Sequence, residues 1–311
     1  MVSRWFKILY VINWHGLLNK FMIKKILGKL YQSIIRFSLV ANSLRKIYRS
    51  GGYSTYTIAT LNHGRILDGK NVLVTGGASG IGLAIARKCL SEGAQVLITG
   101  RSQQKLSSVA DDINSLMLKT LSWDISQIDE LENMLSKAIG LLGGRIDILV
   151  NNAGVLLGTQ FPHVTEDVWD KIYSINSKGL FFLTQSICKV WLNESNKTVK
   201  KVLNISSQGG FVGATYPYRL SKWDVAGLTQ GLGIKLASKG ILVNGIAPGI
   251  VATEMQPGCL RQKENMYSPH NPLERYALPE EIAELAVFLM SDSSNFIVGQ
   301  TIICDGGYSL K

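Results

Sequence analysis

The stretch Asn71-Val72-Leu73-Val74-Thr75-Gly76-Gly77-Ala78-Ser79-Gly80-Ile81-Gly82 decides the fold of this chain. Asn71–Thr75 is a short, largely apolar run of the kind that forms a strand buried on both faces. Gly76, Gly80 and Gly82 then allow a sharp backbone turn, and Ile81–Glu92 continues at helical periodicity. A strand, a glycine-rich turn and a helix N-terminus together make a cradle for a pyrophosphate. The backbone comes close to the ligand, and the helix dipole with its free N–H groups favours the anion.

Outward from this unit the same alternation repeats. Gln95–Thr99, Met117–Trp123, Ile146–Asn151, Lys201–Ser206, Ile241–Ile246 and Thr301–Cys304 read as further buried strands. Ile128–Leu142, Val168–Leu192, Arg219–Ser238 and Glu280–Met290 read as helices, the last introduced by Pro279 and two glutamates. Strands alternating with helices at this spacing predict an α/β fold: a doubly wound parallel sheet of about seven strands with helices on both faces. No internal repeat is visible, so residues 67–311 form a single domain.

The preceding segment differs in kind. The chain of 311 residues carries a formal charge of +11, yet residues 1–67 hold eleven Lys or Arg and no acid, leaving 22 basic and 22 acidic residues in 68–311. The body is formally neutral, which argues against a nucleic-acid-binding face. Between Lys20 and Leu30, Lys20, Lys24, Lys25 and Lys29 share one half of a helical wheel, and Met22, Ile23, Ile26, Leu27 and Leu30 share the other. A basic amphipathic helix of this kind can lie on an anionic membrane surface. It also suits a helix packed on the body or a partner subunit, or an acid-free organellar targeting segment. The uncharged run Ile8–Asn19 is too short and polar to span a bilayer. Gly51-Gly52 and Tyr53–Thr57 read as a linker, so residues 1–66 form a basic extension. The four cysteines and four histidines are scattered without metal-ligand spacing, which predicts a reducing, cytoplasmic setting and no structural metal.

Four more motifs follow the glycine-rich turn in order: Asn151-Asn152-Ala153-Gly154, Ser206-Ser207, Tyr218-Arg219-Leu220-Ser221-Lys222 and Pro248-Gly249. Tyr218 and Lys222, four residues apart, project from one helix face, where an ammonium lowers a phenol's pKa of ~10 by favouring phenolate. The ordered series over roughly residues 68–311 resembles the short-chain dehydrogenase/reductase family. The closing Gly299-Gln300-Thr301 and Asp305-Gly306-Gly307-Tyr308 resemble 3-oxoacyl-carrier-protein reductases and related sugar or polyol dehydrogenases.

That resemblance implies a Rossmann fold, a homodimer or homotetramer, and hydride transfer between NADP(H) or NAD(H) and a small carbonyl or alcohol. It assigns Tyr218 as general acid in reduction, Lys222 as tuning charge and ribose ligand, and Asn176 as a relay toward the lysine. Ser207 orients the substrate oxygen, with Ser206 as the alternative because the loop before Tyr218 is short. Thr75, Gly76, Ser79, Gly80, Ile81 and Gly82 are expected around the pyrophosphate. Asp124, Ile125, Asn151, Ala153 and Gly154 are expected on the adenosine side, with Asn151 also stabilising strands. Pro248, Gly249, Ile250 and Thr253 are expected around the carboxamide.

The end of the second strand speaks to cofactor choice. An NAD site needs an acid there for the ribose 2′-hydroxyl, whereas this chain has Arg101 and Ser102, suited to a 2′-phosphate, which predicts NADP(H). Met255, Leu260, Met266 and Tyr267 are expected to form a substrate lid. A catalytically idle NADP-binding scaffold of a membrane-associated pathway is the second reading, and the complete Asn-Ser-Tyr-Lys set weighs against it.

Overall fold

The computed structural model describes residues 20–49, 61, 63–158, 160–195, 198–255, 266–269 and 271–310. The chain divides into two units, Met1–Tyr53 and Ser54–Lys311. Among the described residues of the first is one long helix, α1 (Lys20–Arg49), which contains the expected amphipathic segment and continues well beyond it. Leu30, Ile34, Phe37, Leu44 and Tyr48 recur at helical spacing along it, and their side chains are exposed. No helix among the described residues is long and apolar enough to cross a membrane. The uncharged run Ile8–Asn19, the linker Gly51–Thr57, Cys259 and Leu260 lie outside the described residues.

The second unit is built on seven strands: β1 (Asn71–Thr75), β2 (Gln95–Gly100), β3 (Leu118–Ser122), β4 (Ile148–Asn151), β5 (Lys200–Ile205), β6 (Ile241–Pro248) and β7 (Thr301–Cys304). Their order is β3-β2-β1-β4-β5-β6-β7, and every neighbouring pair is parallel. This is the expected doubly wound sheet, its strand order reversing between β1 and β4.

Strand alternation divides the core into two layers. Val72, Val74, Val96 and Ile98 point to one face, where α2 (Gly80–Ser91) and α8 (Pro279–Met290) pack through Ile85, Cys89, Ala283 and Val287. Leu73, Leu97, Leu149 and Val202 point to the other face, toward Leu135 of α4 (Leu131–Leu141) and Leu183 and Trp191 of α6 (Leu180–Asn193). Residues buried on both sides explain why the strands read as continuous apolar runs.

Two helical details differ from the sequence reading. Helix α3 (Gln103–Ile113) is not among the expected helices, although Leu106, Val109, Ala110 and Ile113 recur along it at helical spacing and pack on the core. The single expected helix Val168–Leu192 is α5 (Glu166–Tyr173), a π-helical turn at Ser174–Gly179, and then α6. A Cβ on Gly179 would lie 2.5 Å from the Ile125 carbonyl oxygen, so glycine is what lets this turn approach the end of β3. Asn176 is carried by the widened turn.

Candidate active site

A cleft of about 790 Å³ opens at the carboxyl ends of the strands, across the reversal between β1 and β4. Its floor is the glycine-rich turn. Gly76 has φ +64°, and a Cβ there would come within 2.9 Å of the Ala153 Cα. Gly80, at φ +54°, faces Thr253 from the loop after β6. Ser79 and Ile81 also line the cleft, as do Ala153, Gly154, Pro248, Gly249 and Ile250.

Thr75 and Gly82 stand behind this wall and build it. The Thr75 hydroxyl donates to the Val150 carbonyl at 3.3 Å and accepts from the backbone N–H groups of Asn152 (3.0 Å) and Ala153 (3.1 Å). The Asn152 side chain donates to the carbonyls of Thr75 and Gly76 at 2.9 and 3.0 Å, pinning the turn to the end of β4. A Cβ on Gly82 would fall 2.4 Å from the Asn152 Nδ2. Asn152 lies inside a motif the sequence reading quotes, but its structural task comes from three-dimensional proximity.

Asn151 corrects an expectation. It does not line the cleft; it is buried and donates to Thr184 Oγ1 and Asn204 Oδ1, both at 2.8 Å. Its place is between β4, β5 and α6, so the strand-stabilising half of the expectation describes it and the ligand-contacting half does not.

At the other end, Arg101 and Ser102 line the cleft just after β2. The Ser102 hydroxyl caps α3, accepting from the Lys105 N–H at 3.2 Å. Asp124 and Ile125 line the facing side. Burial pushes the Asp124 carboxyl up, but two hydrogen bonds from Ser126 and the nearby charges of Arg101 and Lys171 outweigh it and leave its pKa below the ordinary value. Thr99 Oγ1 and Trp123 Nε1, on residues lining this part of the cleft, are buried without a protein partner. A glycine cradle, a helix N-terminus, a cation and two unpaired polar atoms along one elongated cleft fit a dinucleotide.

The reacting end is built by β5 and α7 (Pro217–Leu236). Pro217 starts α7 in the first-turn position proline tolerates, so Tyr218 and Lys222 fall on its first turns. Tyr218 and Ser207 line the same part of the cleft, the Ser207 hydroxyl acts to lower the Tyr218 phenol's pKa, and Lys222 Nζ lies 5.7 Å from the Tyr218 ring centroid. Ser206 instead is buried and donates to the Lys222 carbonyl at 2.8 Å. Both serines line the cleft, and it is the Ser206 hydroxyl that is taken up by the Lys222 carbonyl. Asn176 does not: its amide donates to the Val155 carbonyl (3.1 Å) and the Ser221 hydroxyl (3.2 Å), and it accepts from the Val155 N–H at 2.9 Å. Gly154 separates it from Lys222; a Cβ there would lie 3.3 Å from Asn176 Oδ1 and 3.6 Å from Lys222 Nζ.

Burial lowers the Lys222 ammonium to about 8. Burial also raises the Tyr218 phenol, more than Ser207 lowers it, and Tyr216 adds to the rise. The expected depression of the phenol by Lys222 is therefore absent from the balance of the protein's own groups: desolvation wins. The expected lid divides too. Met255 lines the cleft, whereas Met266 and Tyr267 are held away from it, the latter by a backbone bridge to Arg275. Gln208, Tyr216 and Arg219 line the reacting end without having been expected there; their only sequence signal is adjacency to Ser207 and Tyr218.

The fold and cleft define a doubly wound α/β protein of the nicotinamide-oxidoreductase type. The family model described as enoyl-(acyl carrier protein) reductase matches residues 76–309. The 3-oxoacyl-[acyl-carrier-protein] reductase of Thermotoga maritima is 33% identical over 243 residues, 78% of this chain and 98% of that protein. Gluconate 5-dehydrogenase of Gluconobacter oxydans is 31% identical over 249 residues, covering 79% and 96%. Among solved structures, the 3-ketoacyl-(acyl-carrier-protein) reductase of Brucella melitensis complexed with NADH superposes with a TM-score of 0.72 at 29% identity, covering 78% of this chain and 99% of the other. An actinorhodin polyketide ketoreductase variant with NADPH gives 0.71 at 28%, covering 78% and 98%. The chain belongs to the short-chain dehydrogenase/reductase family of oxidoreductases.

Proposed function

We propose that this protein is an NADP(H)-dependent reductase of a ketone or aldehyde, with Tyr218 as proton donor. The observation that carries the reading is the Ser207–Tyr218–Lys222 arrangement at the reacting end of a cleft shaped for a dinucleotide. When bound, the nicotinamide supplies or accepts hydride. Ser207 holds the substrate oxygen against the Tyr218 hydroxyl, which gives its proton as the carbonyl is reduced and takes one back in oxidation. The Lys222 ammonium and the positive charge of an oxidised nicotinamide favour the phenolate and so work against the burial that raises the phenol. Asn176 positions Lys222 and the loop after β4 rather than touching substrate.

The two solved neighbours differ in the nicotinamide named with them, NADH in one and NADPH in the other. Arg101 with Ser102 at the end of β2, in place of an acid, supports NADP(H) here. The relatives' own names span 3-oxoacyl thioesters and a sugar acid, so the substrate class is a 3-oxoacyl or sugar/polyol-type carbonyl.

Residues 67–311 act as the catalytic domain and residues 1–66 as an extension in a cytoplasmic enzyme. The exposed Trp169, Phe181 and Trp223 beside the groove between α5, α6 and α7 support a homodimer or homotetramer built on the helices that carry Asn176 and Tyr218. The exposed apolar stripe of α1, within an acid-free basic segment, supports a peripheral contact with an anionic membrane. An idle scaffold has no need for Ser207, Tyr218 and Lys222 together on the cleft wall. Tyr218→Phe tests the reading: NADPH binding and melting temperature should stay within error while carbonyl-dependent NADPH oxidation is lost. A variant that still turns over would sink the mechanism.

A further inference from the structure

Among the described residues, the charged side chains lining the cleft are Arg101, Lys105, Asp124, Arg219, Lys222 and Glu254. Most are accounted for. Lys105 pairs with Glu254 at 3.0 Å, and Ser126 holds Asp124. Lys222 donates to the Ile205 carbonyl at 2.9 Å, and Arg101 stands at the far end beside Ser102. Arg219 remains, one residue beyond Tyr218 and therefore at the reacting end.

Its orientation is built by neighbours that also build the site. The Arg219 guanidinium lies over the Tyr216 ring, 5.4 Å from its centroid, and one nitrogen donates to the Gly213 carbonyl at 3.0 Å. Its stem passes so close to Gly209 that a Cβ there would be 3.0 Å from Arg219 Cγ, and the Gly209 N–H donates to the Ser207 hydroxyl at 3.1 Å. The remaining guanidinium N–H groups have no carboxylate or carbonyl partner among the described residues. On the same cleft wall, Gln208 Oε1 is buried without a hydrogen-bond partner. The buried Gln208 amide oxygen is unfavourable unless a donor completes it, whereas the half-exposed guanidinium keeps its spare donors in water and can exchange that water for an anionic ligand.

We propose that Arg219 and Gln208 form the recognition end of the substrate pocket and select a carbonyl compound that carries a carboxylate. This deepens the reductase reading and rests on it. The fork pairs with the carboxylate and fixes the carbonyl toward Ser207 and Tyr218, and the Gln208 amide oxygen, an acceptor, is placed to take a hydroxyl of a larger substrate. A neutral ester of the same skeleton leaves the fork unpaired and is discriminated against.

The test is a binding titration on the full chain loaded with NADPH, using acetoacetate against methyl acetoacetate and levulinate against methyl levulinate, so that charge and spacing vary separately. At least one acid should bind about 10- to 100-fold more tightly than its ester, the range of a charge-assisted hydrogen bond. Arg219→Gln should erase that difference and raise the acid's KM more than it lowers kcat without changing NADPH affinity, and Arg219→Lys should restore part of it. Acids bound no better than their esters, or a preference that survives in Arg219→Gln, overturns the proposal. Arg219-dependent binding of an acid, with no hydride transfer to any carbonyl, would uphold this proposal and overturn the reductase reading instead.

Discussion

Lys222 Nζ lies 5.7 Å from the centroid of the Tyr218 ring while donating to the Ile205 carbonyl at 2.9 Å, so the ammonium is fixed beside the phenol by the end of β5. Burial brings its pKa from 10.5 to about 8, within reach of ordinary assay conditions. Below that pH the charge is present, and in the proposed mechanism it favours the phenolate against the burial that holds the Tyr218 pKa above the usual phenol value. Carbonyl reduction should therefore be flat in pH below about 8 and fall as pH rises through it. Lys222→Met should lower kcat/KM by at least ~100-fold, the lower end of what general acid–base assistance contributes, and remove that inflection. A Lys222→Met profile with the wild-type inflection would assign the titration to another group.

Arg101 sets a second expectation. If its guanidinium pairs with a 2′-phosphate, Arg101→Ala should reduce the ratio of kcat/KM with NADPH to that with NADH by about 10- to 100-fold, from loss of one charge-assisted bond. Most of the change should be in the NADPH KM. Equal losses with both cofactors would assign Arg101 to shaping the loop after β2 instead.

Asn151 gives a prediction of stability without a change in binding. Its amide bridges Thr184 and Asn204 inside the sheet. Asn151→Leu strands the Asn204 Oδ1 acceptor in the core, costing about 1–3 kcal/mol and lowering the melting temperature by several degrees. NADPH affinity of the folded protein should not move. A loss of affinity with an unchanged melting temperature would return Asn151 to the ligand.

The division between what the sequence makes visible and what it hides follows from the range of the interactions. The sheet is legible because runs such as Asn71–Thr75 and Lys200–Ile205 are buried on both faces and turn chemistry punctuates them. The turn at Gly76–Gly82 is legible because positive φ and close backbone approach admit few residues. The π-turn around Asn176 is hidden, since it depends on how nearly Gly179 meets the Ile125 carbonyl. Ser207 separates from Ser206 only when α7 packs against β5 and claims the Ser206 hydroxyl for the Lys222 carbonyl. Helix α3 is legible in the spacing of Leu106, Val109, Ala110 and Ile113, a pattern the sequence reading passes over. The phenol's raised pKa escapes because spacing reports the neighbouring charge and not the desolvation that outweighs it.

The membrane contact assigned to α1 can be tested on the intact chain. Leu30, Ile34, Phe37, Leu44 and Tyr48 form its exposed stripe, and residues 1–67 offer eleven cations and no acid. Binding should then need both terms: apolar insertion at the acyl boundary, and attraction to anionic headgroups worth about 1 kcal/mol per cation near the surface. The full chain should sediment with phosphatidylserine-containing vesicles and not with pure phosphatidylcholine, and the bound fraction should fall as salt shortens the screening length. The double change Phe37→Glu with Leu44→Glu should abolish sedimentation and leave reductase turnover in solution unchanged, because neither residue lies near the cleft-forming elements in sequence. Retained vesicle binding in that variant, or equal binding to neutral vesicles, excludes α1 as the anchor. A change in oligomer size in place of vesicle binding would show that the stripe packs against protein.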